Sequence, residues 1–301
     1  MTKKVKKKSD TRFAFFGTPE LATVFLDDLE REGLVPSLVV TTPDRPKGRG
    51  MALTSPPVKM WAAARNILVL QPERLDTEFV SKLAARSWQL FIVIYYGKIL
   101  PRELFSIPKH GTINVHFSLL PRWKGTSPIR ASILNDDGKS GTSLVLMDEK
   151  IDHGPIIAQK EFHIAKWPPS ARELEVFATH ESAKLLSAVI KLWVSGEIEA
   201  REQNHDLETM CPTLKKDDGL INLSDDPYKN LLKIRAFDST IGTHAFFERG
   251  TSTSSRQAKR IRVQILNAHM DDHSLIIDRV KPEGKREMDY EDFLRSGAQL
   301  I

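Results

Sequence analysis

Between residues 12 and 115, short β-rich runs alternate with amphipathic stretches of helical spacing, and this alternation restricts the fold more than any other feature of the chain. Strands that alternate with helices are joined in parallel by right-handed crossovers, so the expectation is α/β: a Rossmann-like, mostly parallel sheet. The runs are Arg12 to Phe16, Leu38 to Thr42, Ile67 to Leu70, Leu90 to Tyr96 and Gly111 to His116. Leu90 to Tyr96 is nearly continuous apolar, as a central strand covered on both faces requires. After the first run, Thr18 is placed to cap a helix with Pro19 at its first position. Leu21, Val24, Phe25 and Leu29 give that helix its buried stripe, and Gly33 ends it.

Further along, Ser127-Pro128 opens a helix that stops at Asp137-Gly138. Thr142 to Met147 and Pro155 to His163 read as paired strands around a turn, and a long helix runs from about Ser170 to Ser195. A first domain at 12–196 follows, then a polar linker at 197–212. Strands at Thr243 to Phe247, Arg260 to Leu266 and Ser274 to Val280 place a small β-rich domain at 213–301.

The formal charge of +5 is local: Lys3, Lys4, Lys6, Lys7, Lys8 and Arg12 face only Asp10, and the rest of the chain balances. Residues 1–11 therefore read as a basic, disordered arm, and a diffusely basic nucleic-acid coat is excluded. The longest apolar run is far too short to span a bilayer, so a soluble protein is expected. Cys211 is the only cysteine, which rules out an intramolecular disulfide and a cysteine-rich metal site and fits a reducing cytoplasm.

The chemistry concentrates in Asn114-Val115-His116-Phe117-Ser118-Leu119-Leu120-Pro121-Arg122-Trp123-Lys124-Gly125. On an extended chain Asn114 and His116 project from one face, at the carboxyl end of a strand where open α/β sheets bind ligands. An amide that donates to an oxyanion beside an imidazole that moves a proton suits acyl transfer. A lone Asn-x-His pair at a strand end is more often structural.

Five segments in order carry a resemblance. They are Phe16-Gly17-Thr18-Pro19-Glu20, Thr42 to Gly50, Tyr96-Gly97-Lys98-Ile99-Leu100-Pro101, Asn114 to Pro128, and Met147-Asp148-Glu149-Lys150-Ile151-Asp152-His153-Gly154. With them the chain resembles the folate-dependent formyltransferases, most closely their tRNA-directed branch. The resemblance implies transfer of the formyl group of 10-formyltetrahydrofolate to the α-amino group of methionyl initiator tRNA, without a metal and as a monomer. By it, Asn114, His116 and Asp152 are the catalytic residues. Ser118, Leu119, Leu120 and Pro121, with Tyr96, Gly97 and Ile99, contact the folate. Arg45, Lys47 and Arg49, on a Pro- and Gly-punctuated loop, meet the tRNA backbone. Residues 213–301 correspond to an OB-like β-barrel that binds tRNA, with the basic segment Arg249 to Arg262 either its RNA face or a solvated hairpin. Arg122 and Lys124 are expected to meet folate carboxylates, to meet RNA phosphate, or to be solvated. Relatives acting on a sugar nucleotide, a hydrolase of the same folate, and a silent RNA-binding module remain alternatives. The basic Thr42 to Gly50 loop favours tRNA over a sugar or water, and the intact trio argues against the silent module.

Overall fold

The computed structural model describes residues 11–48, 50–249 and 259–300. The lysine-rich arm, apart from Thr11, lies outside them, as do Arg49 and most of the basic Arg249 to Arg262 segment.

The elements are β1 (Phe13–Phe16), α1 (Glu20–Arg31), β2 (Leu38–Val40), β3 (Arg45–Lys47), β4 (Ala52–Thr54), α2 (Pro57–Ala63), β5 (Leu68–Leu70), α3 (Thr77–Ala84), β6 (Leu90–Val93), α4 (Arg102–Phe105) and β7 (Thr112–His116). They continue with α5 (Pro128–Leu134), β8 (Ser140–Leu146), β9 (Ile156–Phe162), α6 (Ala171–Ser195), α7 (Pro227–Phe237), β10 (Thr243–Arg249), β11 (Lys259–Asp271), β12 (Ser274–Pro282), β13 (Met288–Asp289), α8 (Tyr290–Arg295) and β14 (Ala298–Leu300). The described residues divide into two compact units, one falling within 1–128, 140–163 and 175–210, the other within 129–139, 164–174 and 211–301.

The first unit holds a seven-stranded sheet in the order β5-β2-β1-β6-β7-β8-β9. Its first five strands are parallel, and β8 and β9 add antiparallel. Every residue of β1 and β6 is buried, which is why both read as uninterrupted apolar runs. One face packs Ala14, Phe16, Leu38, Val40, Phe91 and Val93 against Phe79 and Leu83 of α3 and Leu104 of α4. On the other, Phe25 of α1 stacks on Phe15 at 6.3 Å, and Trp61 of α2 donates its indole N–H to Asp27 of α1. The strand order reverses between β1 and β6, so a crevice opens at the carboxyl ends of the central strands, beside β7.

Three expectations change. Pro19, not Thr18, occupies the N-cap of α1, and Ala22, Phe25, Leu26 and Leu29 form its buried stripe, with Leu21 and Val24 only half-buried. The Thr18 hydroxyl instead reaches Tyr96 O across the crevice. At the other end Gly33, at φ +80°, closes a Schellman motif: Gly33 N bonds Glu30 O and Leu34 N bonds Leu29 O. Second, β6 ends at Val93, because Tyr95 and Gly97 take left-handed backbone that a ladder cannot continue. Third, the Thr42 to Gly50 loop contains β3, which pairs with β4 as a hairpin, Arg45 opposite Thr54 and Lys47 opposite Ala52.

The second unit contains a five-stranded antiparallel sheet in the order β13-β12-β11-β10-β14. Leu231 and Ile234 of α7 pack with Ala245, Phe247, Val263, Ile265 and Val280 into its core, closed by Phe293 of α8 edge-on to Phe247 at 5.1 Å. Asp226 caps α7 by accepting from Lys229 N at 2.9 Å.

Candidate active site

Asn114 and His116 stand two apart on β7, and a turn after β8 brings Asp152 between them. Asn114 Nδ2 donates to Asp152 Oδ1 at 2.9 Å. Asp152 Oδ2 accepts from Gly125 N at 2.9 Å and lies 3.4 Å from His116 Nδ1. One carboxylate thus joins the amide and the imidazole expected from the sequence. The side chains of His116 and Asp152 are 5% and 9% exposed, so the pair acts where water screens it little. An amide nitrogen carries two hydrogens, and this contact uses one of Asn114's, leaving the other for an oxyanion.

The second ring nitrogen of His116 is 2.8 Å from Trp123 O. A carbonyl only accepts, so Nε2 carries a hydrogen in this contact. Trp123 holds its carbonyl there from left-handed backbone, φ +58°, and Asp152 adopts φ +50°. These are costly conformations for residues with a Cβ, and they cluster at functional sites. Beside Asp152, a Cβ on Gly154 would sit 2.1 Å from Leu146 O, so only glycine lets the turn approach β8.

The expected folate residues divide by role. The Ser118 hydroxyl donates to Arg122 O at 2.6 Å, Leu120 is buried, and Leu119 packs on Gly141, where a Cβ would meet its Cδ2 at 2.4 Å. Gln159 donates to Leu120 O and to Ser143 Oγ, and Ser143 Oγ donates to Ser118 O, pinning the Ser118 to Pro121 loop from beneath. Of its two leucines, Leu120 is buried and Leu119 half-buried. Tyr96 is buried edge-on to Phe16 at 5.5 Å, its hydroxyl has no hydrogen-bond partner, and burial pushes its phenol up. Gly97 has open space around it and Ile99 is 84% exposed, so both lie at the surface.

Arg45 and Lys47 are exposed on β3, and Arg45 pairs with Glu73 at 3.2 Å. The hairpin is tied down at its base by Asp44, whose carboxyl is held at about 2 by hydrogen bonds from Gln71 and Lys59.

Lys124 corrects a sequence expectation. It is 2% exposed, its Nζ pairs with Glu208 and lies 3.3 Å from His205 Nδ1, and its hydrogen bond holds the Glu208 carboxyl below the usual range. Lys124 is therefore not presented to phosphate. Arg122 is exposed and stacks over the Trp123 ring at 4.3 Å. The segment from Arg201 to Thr209, polar in sequence, also reaches the site. Gln203 Nε2 donates to Asp152 O and Gly154 O, and Trp123 N donates to Thr209 Oγ1. The only local signal was chemical variety in a stretch otherwise read as a tether. Among the described residues no cluster of His, Cys, Asp and Glu could hold a metal ion, and no helix is long and apolar enough to cross a membrane.

Residues 11–190 match the family model described as formyl transferase, so the α/β sheet is that of a formyltransferase. The chain is 35% identical over 299 residues to the methionyl-tRNA formyltransferase of Myxococcus xanthus (strain DK1622), covering 95% of each chain. By these two findings it belongs to the methionyl-tRNA formyltransferase family. In fold it is similar to the methionyl-tRNA formyltransferase of Clostridium thermocellum, with TM-score 0.56 and 16% identity over 90% of this chain and 98% of that one. It is also similar to the N-formyltransferase of Helicobacter canadensis in complex with folinic acid and dTDP-3-aminofucose, with TM-score 0.58 and 21% identity over 75% and 80% of the chains.

Proposed function

We propose that the protein transfers the formyl group of 10-formyltetrahydrofolate to the α-amino group of methionyl initiator tRNA, acting as a cytoplasmic monomer. The observation that carries this reading is the single carboxylate of Asp152 bridging Asn114 and His116. An aminoacyl amine, with a reference pKa of about 8 for an α-amino group, is partly neutral near pH 7 and needs no strong base to attack. Its nitrogen bonds the formyl carbon, and the carbonyl oxygen becomes an oxyanion that accepts the second amide hydrogen of Asn114. The new nitrogen must then lose a proton, and folate N10 must gain one before its bond to the formyl carbon breaks. His116 carries that proton, with Asp152 balancing its charge.

The folate ring lies along the Ser118 to Pro121 backbone and the Tyr96, Gly97 and Ile99 wall, a reading supported by the exposed Ile99 and open Gly97. Arg45, Lys47 and Arg49 meet phosphates of the acceptor stem, supported by the exposure of the first two on a hairpin anchored at Asp44. Residues 213–301 serve as an OB-like barrel domain that adds tRNA contacts. The test is transfer of labelled formyl from 10-formyltetrahydrofolate to methionyl initiator tRNA, beside uncharged tRNA and a control without RNA. Labelled product only with the charged tRNA is expected. Folate turnover without RNA would favour a hydrolase, and no turnover in any lane would move the reading to a sugar-nucleotide enzyme or a silent binder.

A further inference from the structure

The stretch from Arg201 to Thr209 touches both supports of the catalytic trio. Arg201 and Ile156 exchange two backbone hydrogen bonds of 2.8 Å, a one-pair antiparallel bridge that sets the chain beside the Asp152 turn. Two residues on, Gln203 is 6% exposed, and its Nε2 donates to Asp152 O at 2.9 Å and to Gly154 O at 2.7 Å. Both acceptors are carbonyls, so the amide has one workable orientation: turning it over would aim Oε1 at two oxygens. In that orientation Oε1 is buried with no hydrogen-bond partner. An unsatisfied buried acceptor is costly, so the side chain's orientation is explained by its two donor contacts and not by its oxygen.

At its other end the segment grips the opposite side of the site. Thr209 Oγ1 accepts from Trp123 N at 2.9 Å, Thr209 O accepts from Lys124 N at 2.8 Å, and Thr209 N donates to Pro121 O at 3.2 Å. Trp123 is the residue whose carbonyl faces His116 Nε2. Between these ends, the His205 ring stacks on His153 at 3.9 Å and 4°, and Glu208 pairs with Lys124.

We infer that Gln203 and Thr209 are positioning residues for formyl transfer. Gln203 holds Asp152 in its left-handed turn, and Thr209 holds the Trp123 carbonyl against His116. The segment is a clasp across the trio and not a passive tether. This inference rests on the proposed reaction, because it assigns to the clasp an effect on the rate of that reaction.

The experiment measures kcat and KM for both substrates, with the thermal midpoint, in the full-length wild type and in Gln203→Met, Thr209→Val and Thr209→Ser. Methionine keeps the length of Gln203 without its donors, and valine keeps the shape of Thr209 without its acceptor. A misplacement of about 1 Å costs on the order of 100-fold in rate. The expectation is a kcat loss of about 10- to 100-fold in Gln203→Met and Thr209→Val, with KM for folate and tRNA within about threefold. Thr209→Ser should restore kcat to near wild type. In an Asp152→Asn background, Gln203→Met should cost under about threefold, since it acts through Asp152. Unchanged kcat in Gln203→Met overturns the inference, as does the same loss in both backgrounds. Should Gln203→Met fail to fold, the Thr209→Val and Thr209→Ser pair decides: equal kcat in the two overturns it. A wild type inactive on methionyl-tRNA would instead overturn the proposed reaction, which keeps the two failures apart.

Discussion

Asn114 gives one amide hydrogen to Asp152 Oδ1 at 2.9 Å, and the same carboxylate stands 3.4 Å from His116 Nδ1 through its other oxygen. The amide is thereby aimed by the group that balances the imidazole, and its remaining hydrogen is the donor available to a developing oxyanion. Asn114→Ala is expected to lower kcat by about 100- to 1,000-fold, the range for loss of one oxyanion donor. KM for folate and for tRNA should change little. Steady-state kinetics on both substrates check this, and a loss confined to KM would assign Asn114 to ground-state binding.

On the hairpin, Arg45 and Lys47 are exposed, and among the described residues Glu73 is the acid paired with Arg45. Arg45→Ala and Lys47→Ala are expected to raise KM for tRNA and to reduce the slope of log K against log salt by about 1 each. Folate KM should stay as in the wild type. Filter binding across a salt series measures the slope, and an unchanged slope in both variants would remove the hairpin from the RNA interface.

Lys124 behaves differently from the exposed cations, being buried against Glu208 and His205. Lys124→Met keeps most of the volume and removes the charge. It should lower the thermal midpoint while leaving the salt slope of tRNA binding unchanged. A reduced slope with unchanged stability would restore Lys124 to a phosphate role.

How legible each feature was depends on the sequence distance of its partners. The parallel sheet was readable because β1 and β6 carry their burial as local apolar runs. Asn114 and His116 were readable because strand periodicity alone puts them on one face. Lys124 was not, since Glu208 lies 84 residues away, and a charged side chain reads as solvated until its partner is known. Gln203 was hidden in the same way, 51 residues from Asp152 in a polar stretch. The Arg45 hairpin read as a loop because Pro46, Gly48 and Gly50 are turn residues, whereas a two-stranded edge ribbon tolerates them. The one-residue shift of the α1 cap followed from Pro19, whose extended backbone at ψ 177° ends the non-helical entry itself.

In the second unit, burial first and then the neighbouring Arg262 hold the His244 imidazole below its ordinary value, and Arg262 donates to His244 Nδ1 at 3.1 Å. Asp217 opposes that shift but does not cancel it. A histidine with a lowered folded pKa binds its proton more readily when unfolded. Its contribution is fully present above the unfolded value of about 6.5 and is lost as pH falls through the folded one. Thermal midpoints measured from about pH 7.5 to 5 should therefore fall, and His244→Gln should flatten the slope. A slope unaltered by the substitution would place its origin elsewhere.

The claim that Asp152 makes one unit of the amide and the imidazole is tested most directly by a double-mutant cycle. Single-turnover transfer of labelled formyl to methionyl initiator tRNA is measured in wild type, Asn114→Ala, Asp152→Ala and the double variant. Residues that work as a unit are strongly non-additive, so the double variant should be at most about threefold slower than the slower single variant. Losses that multiply would mean that Asn114 and Asp152 act independently, and would contradict the account.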